Sequence, residues 1–290
     1  MSIKSILVPL NEGERGFNAL DTAFIVAKRF GGHVNAVHVR SDSSSSEPFL
    51  FGSLSGALKE TVVKEAELAS ERSSAQVETR FSAAYDTTGV TVTDAGDHST
   101  AEVSASFESV EGRRADVLIE RARLNDVTAI TAPELADNTI RQTPTGETLE
   151  SIMLGSGRPV LVVPRKWQAR QCEHAVIGWN DSVQSSRAVA MTVPWLTRMH
   201  TVTAVVARER RPSAELLKRY LASHDTEVKI VLLNREQKTA GEALLDRCQE
   251  LQADFLVVGG YSRARPRQLL FGGVTRHLLK NTNIVTVMVH

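Results

Sequence analysis

Val257-Val258-Gly259-Gly260-Tyr261-Ser262-Arg263-Ala264-Arg265-Pro266-Arg267-Gln268-Leu269-Leu270-Phe271-Gly272-Gly273-Val274-Thr275-Arg276-His277-Leu278-Leu279 is the run that sets the architecture. The apolar residues Phe255 to Val258 read as a strand buried on both faces of a parallel sheet. A glycine pair ends that strand, and an Arg-rich loop containing Pro266 follows. A second glycine pair then opens a helix with Val274, Leu278 and Leu279 on one face. Strand, glycines, basic loop, glycines and helix start together can cradle an anion. Glycine lets the backbone come close to a phosphate, and unpaired N–H groups at a helix start point toward it. A plain tight strand-to-helix turn at Gly259-Gly260 accounts for the same residues equally well, and Arg263, Arg265 and Arg267 read first as ordinary surface charge and second as phosphate contacts.

From that run the pattern extends backward along the chain. Ser5 to Leu10 is a buried-strand run, followed by the turn Asn11 to Gly16. Asn18 to Phe30 places Leu20, Ala23, Phe24 and Ala27 at helical spacing, and Gly31-Gly32 stops it. Val34 to Val39 reads as the next strand, which makes a βαβ unit and hence a parallel sheet. Residues 41–50 are a polar, serine-rich loop. A long helical pattern begins near Leu54, with Leu58, Val62, Ala66 and Ala69 as its apolar stripe, and weakens toward Phe81. Val90 to Thr93 alternates too briefly to assign. Glu102 to Val110 is a strand, Arg113 to Leu124 a helix, Val127 to Ala132 a strand, Leu149 to Leu154 a short helix and Arg158 to Pro164 a strand.

The order then repeats. Ala175 to Trp179 is an opening strand followed by Asn180-Asp181-Ser182. Ser185 to Thr197 is a helix with Ala188, Val189, Thr192 and Leu196 facing inward. Val202 to Val206, Ser213 to Ala222, Val228 to Leu232, Gly241 to Leu251, Phe255 to Val258 and Ile284 to Val289 continue the alternation of strand and helix. This is an internal duplication, with the break in the polar stretch Lys166 to Cys172.

Composition bounds the function. The 290 residues suffice for two domains, and 42% hydrophobic with 23% charged residues is a globular profile. With 34 Lys and Arg against 34 Asp and Glu, no cationic excess exists to displace counterions, which argues against general nucleic-acid binding. Cys172 and Cys248 form no C-x-x-C and read as ordinary thiols. No apolar run reaches about 18 residues, so no membrane span is expected, and the cytoplasm is the default location. His38, His200 and His277 are scattered without zinc-site spacing, so no metal site is expected. No Ser–His–Asp order sits on a nucleophile elbow, which leaves hydrolase chemistry without support. Trp179 and Trp195 read as core aromatics rather than stacking platforms.

The residues of four stretches carry a family resemblance. Ile6-Leu7-Val8-Pro9 and Val176 to Ser182 open the two halves, Gly157 to Pro164 closes the first, and Ala253-Asp254 through Leu279 spans the second. In these the chain resembles a tandem universal stress protein, two copies of that family's domain in one polypeptide. The resemblance implies an α/β fold of two tandem open parallel five-stranded sheets with flanking helices, Rossmann-like, with domains at 1–168 and 172–290. It implies a nucleotide site in the second domain, for ATP or AMP with any Mg arriving on the nucleotide. The implied residues are Gly178, Asn180, Val206, Val258, Gly259, Tyr261, Ser262, Arg263, Gly272, Gly273, Val274 and Thr275. ATP-binding members carry Gly, two residues, Gly, nine residues, then Gly and Ser or Thr. Here Gly259 and Gly272 match, while Ser262 and Gly273 depart. Ser262 resists a left-handed backbone that glycine accepts. Gly273 lacks the hydroxyl but keeps its N–H, with Thr275 nearby. The family's Asp at the end of the first strand falls on Asn180, whose amide still hydrogen-bonds a ribose or adenine edge. Asn180-Asp181-Ser182 also reads as a plain helix N-cap.

In the first domain Pro133-Glu134-Leu135-Ala136-Asp137 places two carboxylates where phosphate would sit, so no nucleotide is expected there. The function expected is a stress-response protein binding a nucleotide in its second domain. An interaction or scaffold protein of the same fold without nucleotide is the alternative. A slow ATPase ranks last, since no catalytic base or metal clamp can be named. The closing strands, Val160 to Val163 and Val285 to Val289, are edge candidates that pair two family domains, here within one chain. The long helix after the serine loop offers a surface for pairing two copies of the chain.

Overall fold

The computed structural model describes residues 3–11, 17–40, 56–86, 88–93, 103–134, 143–235, 237–260 and 272–290. The chain alternates strand and helix: β1 (Ser5–Leu10), α1 (Phe17–Phe30), β2 (His33–Arg40), α2 (Gly56–Asp86), β3 (Thr91–Val92), β4 (Ser104–Glu111), α3 (Arg114–Arg123), β5 (Val127–Thr131), α4 (Pro144–Gly155) and β6 (Val160–Val163). The second half runs β7 (His174–Trp179), α5 (Val183–Leu196), β8 (Thr201–Val206), α6 (Arg211–Ala222), β9 (Val228–Leu232), α7 (Ala240–Glu250), β10 (Phe255–Gly259), α8 (Gly273–Asn281) and β11 (Val285–Val289). No helix of the described residues is long and apolar enough to cross a membrane.

The α/β class is as expected, but the strands do not stay in two sheets of five. Among the described residues they form one sheet of 11, in the order β3-β4-β2-β1-β5-β6-β11-β10-β7-β8-β9. Every neighbouring pair is parallel except β6 and β11, which run antiparallel with Thr286 opposite Val162 and Met288 opposite Val160. The extra strand is β3, where Thr91 and Val92 extend the first half's edge beside β4. Its two residues are too few for alternation to be read in sequence. Helix α4 also begins earlier than its apolar residues suggest. The Thr143 hydroxyl accepts from the Gly146 N–H at 3.1 Å, and Pro144 sits in the first turn, where its missing donor costs nothing.

Helices cover both faces. On one, α1, the carboxyl-terminal part of α2, α5 and α6 bury Phe24, Phe81, Trp195 and Leu221. On the other, α3, α4, α7 and α8 bury Leu118, Ile152, Leu244 and Leu278. The central strands are therefore apolar throughout rather than alternating, and β6 and β11 are buried along their whole length.

The duplication extends to individual hydrogen bonds. Asp126, just before β5, accepts the N–H groups of Lys4 and Ser5 at 2.7 and 3.0 Å. Asp254, just before β10, accepts those of Glu173 and His174 at 3.1 and 3.0 Å. In each half one carboxylate thus satisfies the backbone donors where the first strand enters the sheet.

Above the β6–β11 seam the halves lock through aromatic and cationic side chains. Phe30 at the end of α1 meets Trp195 edge to face at 5.9 Å, and Trp195 lies 6.1 Å from Phe255. The Arg198 guanidinium sits 4.4 Å over the Phe30 ring. Arg29 and Arg198 each donate to the other's backbone carbonyl. The connector between the halves is tied down as well, since Trp167 is buried and the Cys172 carbonyl accepts from Arg29 at 2.8 Å.

Two measurements follow from this packing. Trp195→Ala removes an indole that is 3% exposed and shared by both halves. It is expected to lower stability by about 3–5 kcal/mol in chemical denaturation. Burial pushes the Cys172 and Cys248 thiols from 9.0 up to about 12, Cys172 further by the neighbouring Asp254 carboxylate. Both therefore stay protonated through pH 8, and their reaction with a thiol-specific disulfide reagent is expected to be on the order of a thousandfold slower than that of a free thiol.

Candidate functional site

In the second half the chain runs from β7 outward to β8 and β9, then returns to β10 and β11 on the other flank of β7. The strand order reverses between β7 and β10, and the crevice beyond their carboxyl ends is where open α/β sheets bind ligands. Gly178 of β7 and Val258 of β10 are direct register partners at this point. Gly259 ends β10 one residue further on.

Three glycines here are compelled by packing. A Cβ on Gly178 would lie 2.9 Å from Val258 Cγ1 and 3.0 Å from Leu244 Cδ2, because α7 presses onto the strand. A Cβ on Gly259 would lie 2.5 Å from the Ser185 nitrogen and 2.6 Å from the Gln184 carbonyl carbon, in the first turn of α5. A Cβ on Gly260 would lie 2.7 Å from Cε of Met153, a residue of the first half. The Gly260 N–H also donates to the Val289 carbonyl at 2.7 Å. The pair Gly259-Gly260 is thus a close-packed exit from the sheet, whatever else it does.

The second glycine pair differs. Among the described residues, a Cβ on Gly272 or Gly273 would meet nothing within 4 Å. Gly272 is the N-cap of α8, in an extended conformation, and supplies no side-chain cap. The first turn of α8 therefore carries the usual unsatisfied N–H groups of a helix start, with their partial positive charge, beside open space. Val274 is 39% exposed there, while Thr275 is buried. Tyr261, Ser262 and Arg263, together with Arg265 and Arg267, lie outside the described residues.

Asn180-Asp181-Ser182 forms a tight entry into α5. Ser182 and Ser185 make a reciprocal capping box, and Asp181 adopts a left-handed φ of 61°. The Asn180 Oδ1 accepts from the Ser182 N–H at 3.2 Å and from its hydroxyl at 2.7 Å. Its amide nitrogen is the group that points a donor elsewhere. Val206 is fully buried, and its carbonyl accepts the Leu233 N–H at 2.8 Å.

A rim beside these residues was not read from the sequence. The Asp181 carboxylate pairs with Arg210 at 3.3 Å. The half-buried Trp179 donates its indole N–H to the Ser213 hydroxyl at 3.0 Å, and that hydroxyl donates to the Arg210 carbonyl at 2.9 Å. The available signal was the basic run at 208–211 directly after a strand, a cationic cluster at the sheet's carboxyl edge. Trp195 belongs to the core as expected, whereas Trp179 lines this rim.

The first half presents different chemistry at the corresponding crevice between β1 and β5. Asn11 takes the place of Asn180, and Arg114 donates to its side-chain oxygen. Thr131 takes the place of Gly259, with its buried hydroxyl lacking a hydrogen-bond partner among the described residues. Glu134 pairs with Arg165 at 2.9 Å, so one of the two expected carboxylates is neutralised. Leu135, Ala136 and Asp137 lie outside the described residues.

A doubled, open α/β module with glycine-lined strand ends at its switch point defines a tandem protein of the doubly wound class. The model of the universal stress protein family matches residues 2–164 and 181–290, and the chain belongs to that family. No curated protein matches the chain. Among solved structures, a universal stress protein from Archaeoglobus fulgidus DSM 4304 is similar with a TM-score of 0.67 and 13% identity, over 98% of this chain and 97% of that one. A putative universal stress protein from Pseudomonas aeruginosa UCBPP-PA14 is similar with a TM-score of 0.53 and 16% identity, over 99% and 93%. A functionally unknown protein from Pseudomonas aeruginosa PAO1 gives 0.52 and 16%, over 99% and 92%. At these identities the likeness is one of fold.

The two glycine pairs predict opposite responses. Gly259→Ala drives a methyl into the backbone of α5 and is expected to destabilise by about 1–3 kcal/mol. Gly273→Ala enters open space in a helical first turn and is expected to stabilise by about 0.4–1 kcal/mol. Urea denaturation of the two variants beside the parent checks both signs.

Proposed function

We propose that the second half of the chain binds an adenine nucleotide at the β7–β10 switch point, in keeping with its membership of the universal stress protein family. The phosphates rest on the first turn of α8, and the nucleoside lies toward Asn180 and Val206. The observation that carries this reading is the amino end of α8 beside the sheet's carboxyl edge, which no side chain caps or crowds among the described residues. Helix amides with nothing in front of them favour an anion on both hydrogen-bonding and dipole grounds. Asn180 supports it with an amide donor, and Thr275 supplies a hydroxyl in the same turn. The nucleotide acts as a bound signal in this reading, and the residues named hold and orient it.

A second reading has its own support. The Gly259 backbone is explained by α5, the Asn180 oxygen is used by Ser182, and the Val206 carbonyl is used by Leu233. Polar groups already satisfied within the chain suit a protein that works through its surfaces without a nucleotide.

Calorimetric titration with ATP and AMP separates the two. The first reading expects saturable binding by the parent protein. It also expects loss of at least about tenfold in affinity in Gly273→Glu, where a carboxylate meets the phosphates. That side chain has room, and an acid in a first helical turn is favourable, so the variant's melting curve should match the parent's. No binding at millimolar nucleotide leaves the second reading.

A further inference from the structure

Helix α2 is 31 residues long, and only its carboxyl-terminal part is seated on the sheet. Ser73, Val77 and Phe81 are buried, and Phe81 stacks 5.6 Å from Phe107 of β4. Tracing the same face back toward the amino terminus reaches Ala69, Ala66 and Val62, each three or four positions from the next. All three are exposed, Val62 at 39%. The apolar face of the helix therefore continues past the domain that buries it. An apolar stripe contributes to helix stability only when something packs against it.

The charges beside this stripe point to its occupant. Glu65 and Arg72 lie seven residues apart on one flank of the stripe, and both are exposed. Neither has an opposite charge three or four positions away on its own helix, where such pairs form. With Val62 and Ala69 at d and Ala66 at a of a heptad, Glu65 and Arg72 both fall at g. In an antiparallel pair of such helices g faces g, so Glu65 of one copy meets Arg72 of the other, twice by symmetry. In the same register Ala66 packs on Ala69 across the axis, and these small side chains let the helices approach closely.

We infer that the exposed stripe of Val62, Ala66 and Ala69 on α2 is a self-complementary surface that joins two copies of this chain through an antiparallel helix pair. The surface is an isologous one, as a twofold homodimer requires. It spans only about two heptads, so the dimer is weak and concentration-dependent.

Sedimentation equilibrium of the full chain, from low micromolar to submillimolar concentration, tests this. The parent is expected to follow a monomer–dimer equilibrium. Glu65→Arg and Arg72→Glu alone each place like charges opposite one another, and each weakens the dimer about tenfold. The double variant restores opposite charges and recovers parental affinity. Ala69→Glu puts a carboxylate in the seam and weakens the dimer further. All three positions are exposed, so circular dichroism should report unchanged folding. A monomer at every concentration overturns the inference. So does a dimer indifferent to these substitutions, or a double variant no tighter than the singles.

Discussion

The antiparallel pairing of β6 with β11 is the contact on which this molecule's organisation depends. A doubly wound half-sheet ends in a strand with unpaired N–H and C=O groups along one edge, which is a template for aggregation or assembly. Both closing strands are apolar valine-rich runs, buried throughout. Left open, each would expose apolar side chains as well as backbone. Pairing them satisfies the two inner edges with one ladder and makes a continuous sheet from two copies of a module. The side chains above the seam serve the same end, since Trp195 packs between a helix residue of the first half, Phe30, and a strand residue of the second, Phe255. Gly260 belongs to this seam too, bonded to Val289 and packed on Met153.

How much of this was legible follows from the range of the forces involved. Strands such as Ser5–Leu10 and Val285–Val289 declare themselves because a central parallel strand must be apolar on both faces, and that demand is local. Helix α1 is legible for a similar reason, its inward residues recurring at helical spacing until Gly31, which takes a φ of 65°. The start of α4 was not legible, because a lone Thr143 cap and Pro144 precede the apolar residues by a turn. Strand β3 is specified by its neighbour β4 and by nothing in its own two residues. The pairing of β6 with β11, which merges the two expected sheets into one, joins residues over a hundred positions apart; it was expected from the free edges of the closing strands and the family resemblance, since no window along the chain can contain it.

The site divides along the same line. The glycine frame from Gly259 to Gly272 was visible, and so was the capping potential of Ser182. What the residue types could not tell was the purpose of each glycine. Gly259 looks like a phosphate-loop glycine by sequence, yet Ser185 lies so close that only glycine fits there. Gly273 looks like a lost hydroxyl, yet it leaves the start of α8 sterically open. The Arg210–Asp181 pair and the Trp179–Ser213 bond went unread because they join a strand end to a helix that follows it only after another strand.

The two crevices of this duplicated chain differ by a physical exchange that bears on why a tandem protein would keep both. At the first, Arg114 takes the oxygen of Asn11, Arg165 takes Glu134, and Thr131 fills the place that glycine holds in the second half. Side chains there answer one another. At the second, side-chain pairs such as Arg210–Asp181 stand at the rim, while the strand ends are closed by backbone at Gly178 and Gly259 and Gly272 offers no side-chain cap to α8. A crevice closed by side-chain pairs resists a charged guest, since admitting one means breaking them. A crevice closed by backbone contacts keeps its shape while leaving helix amides available. The β6–β11 seam joins both in one continuous sheet.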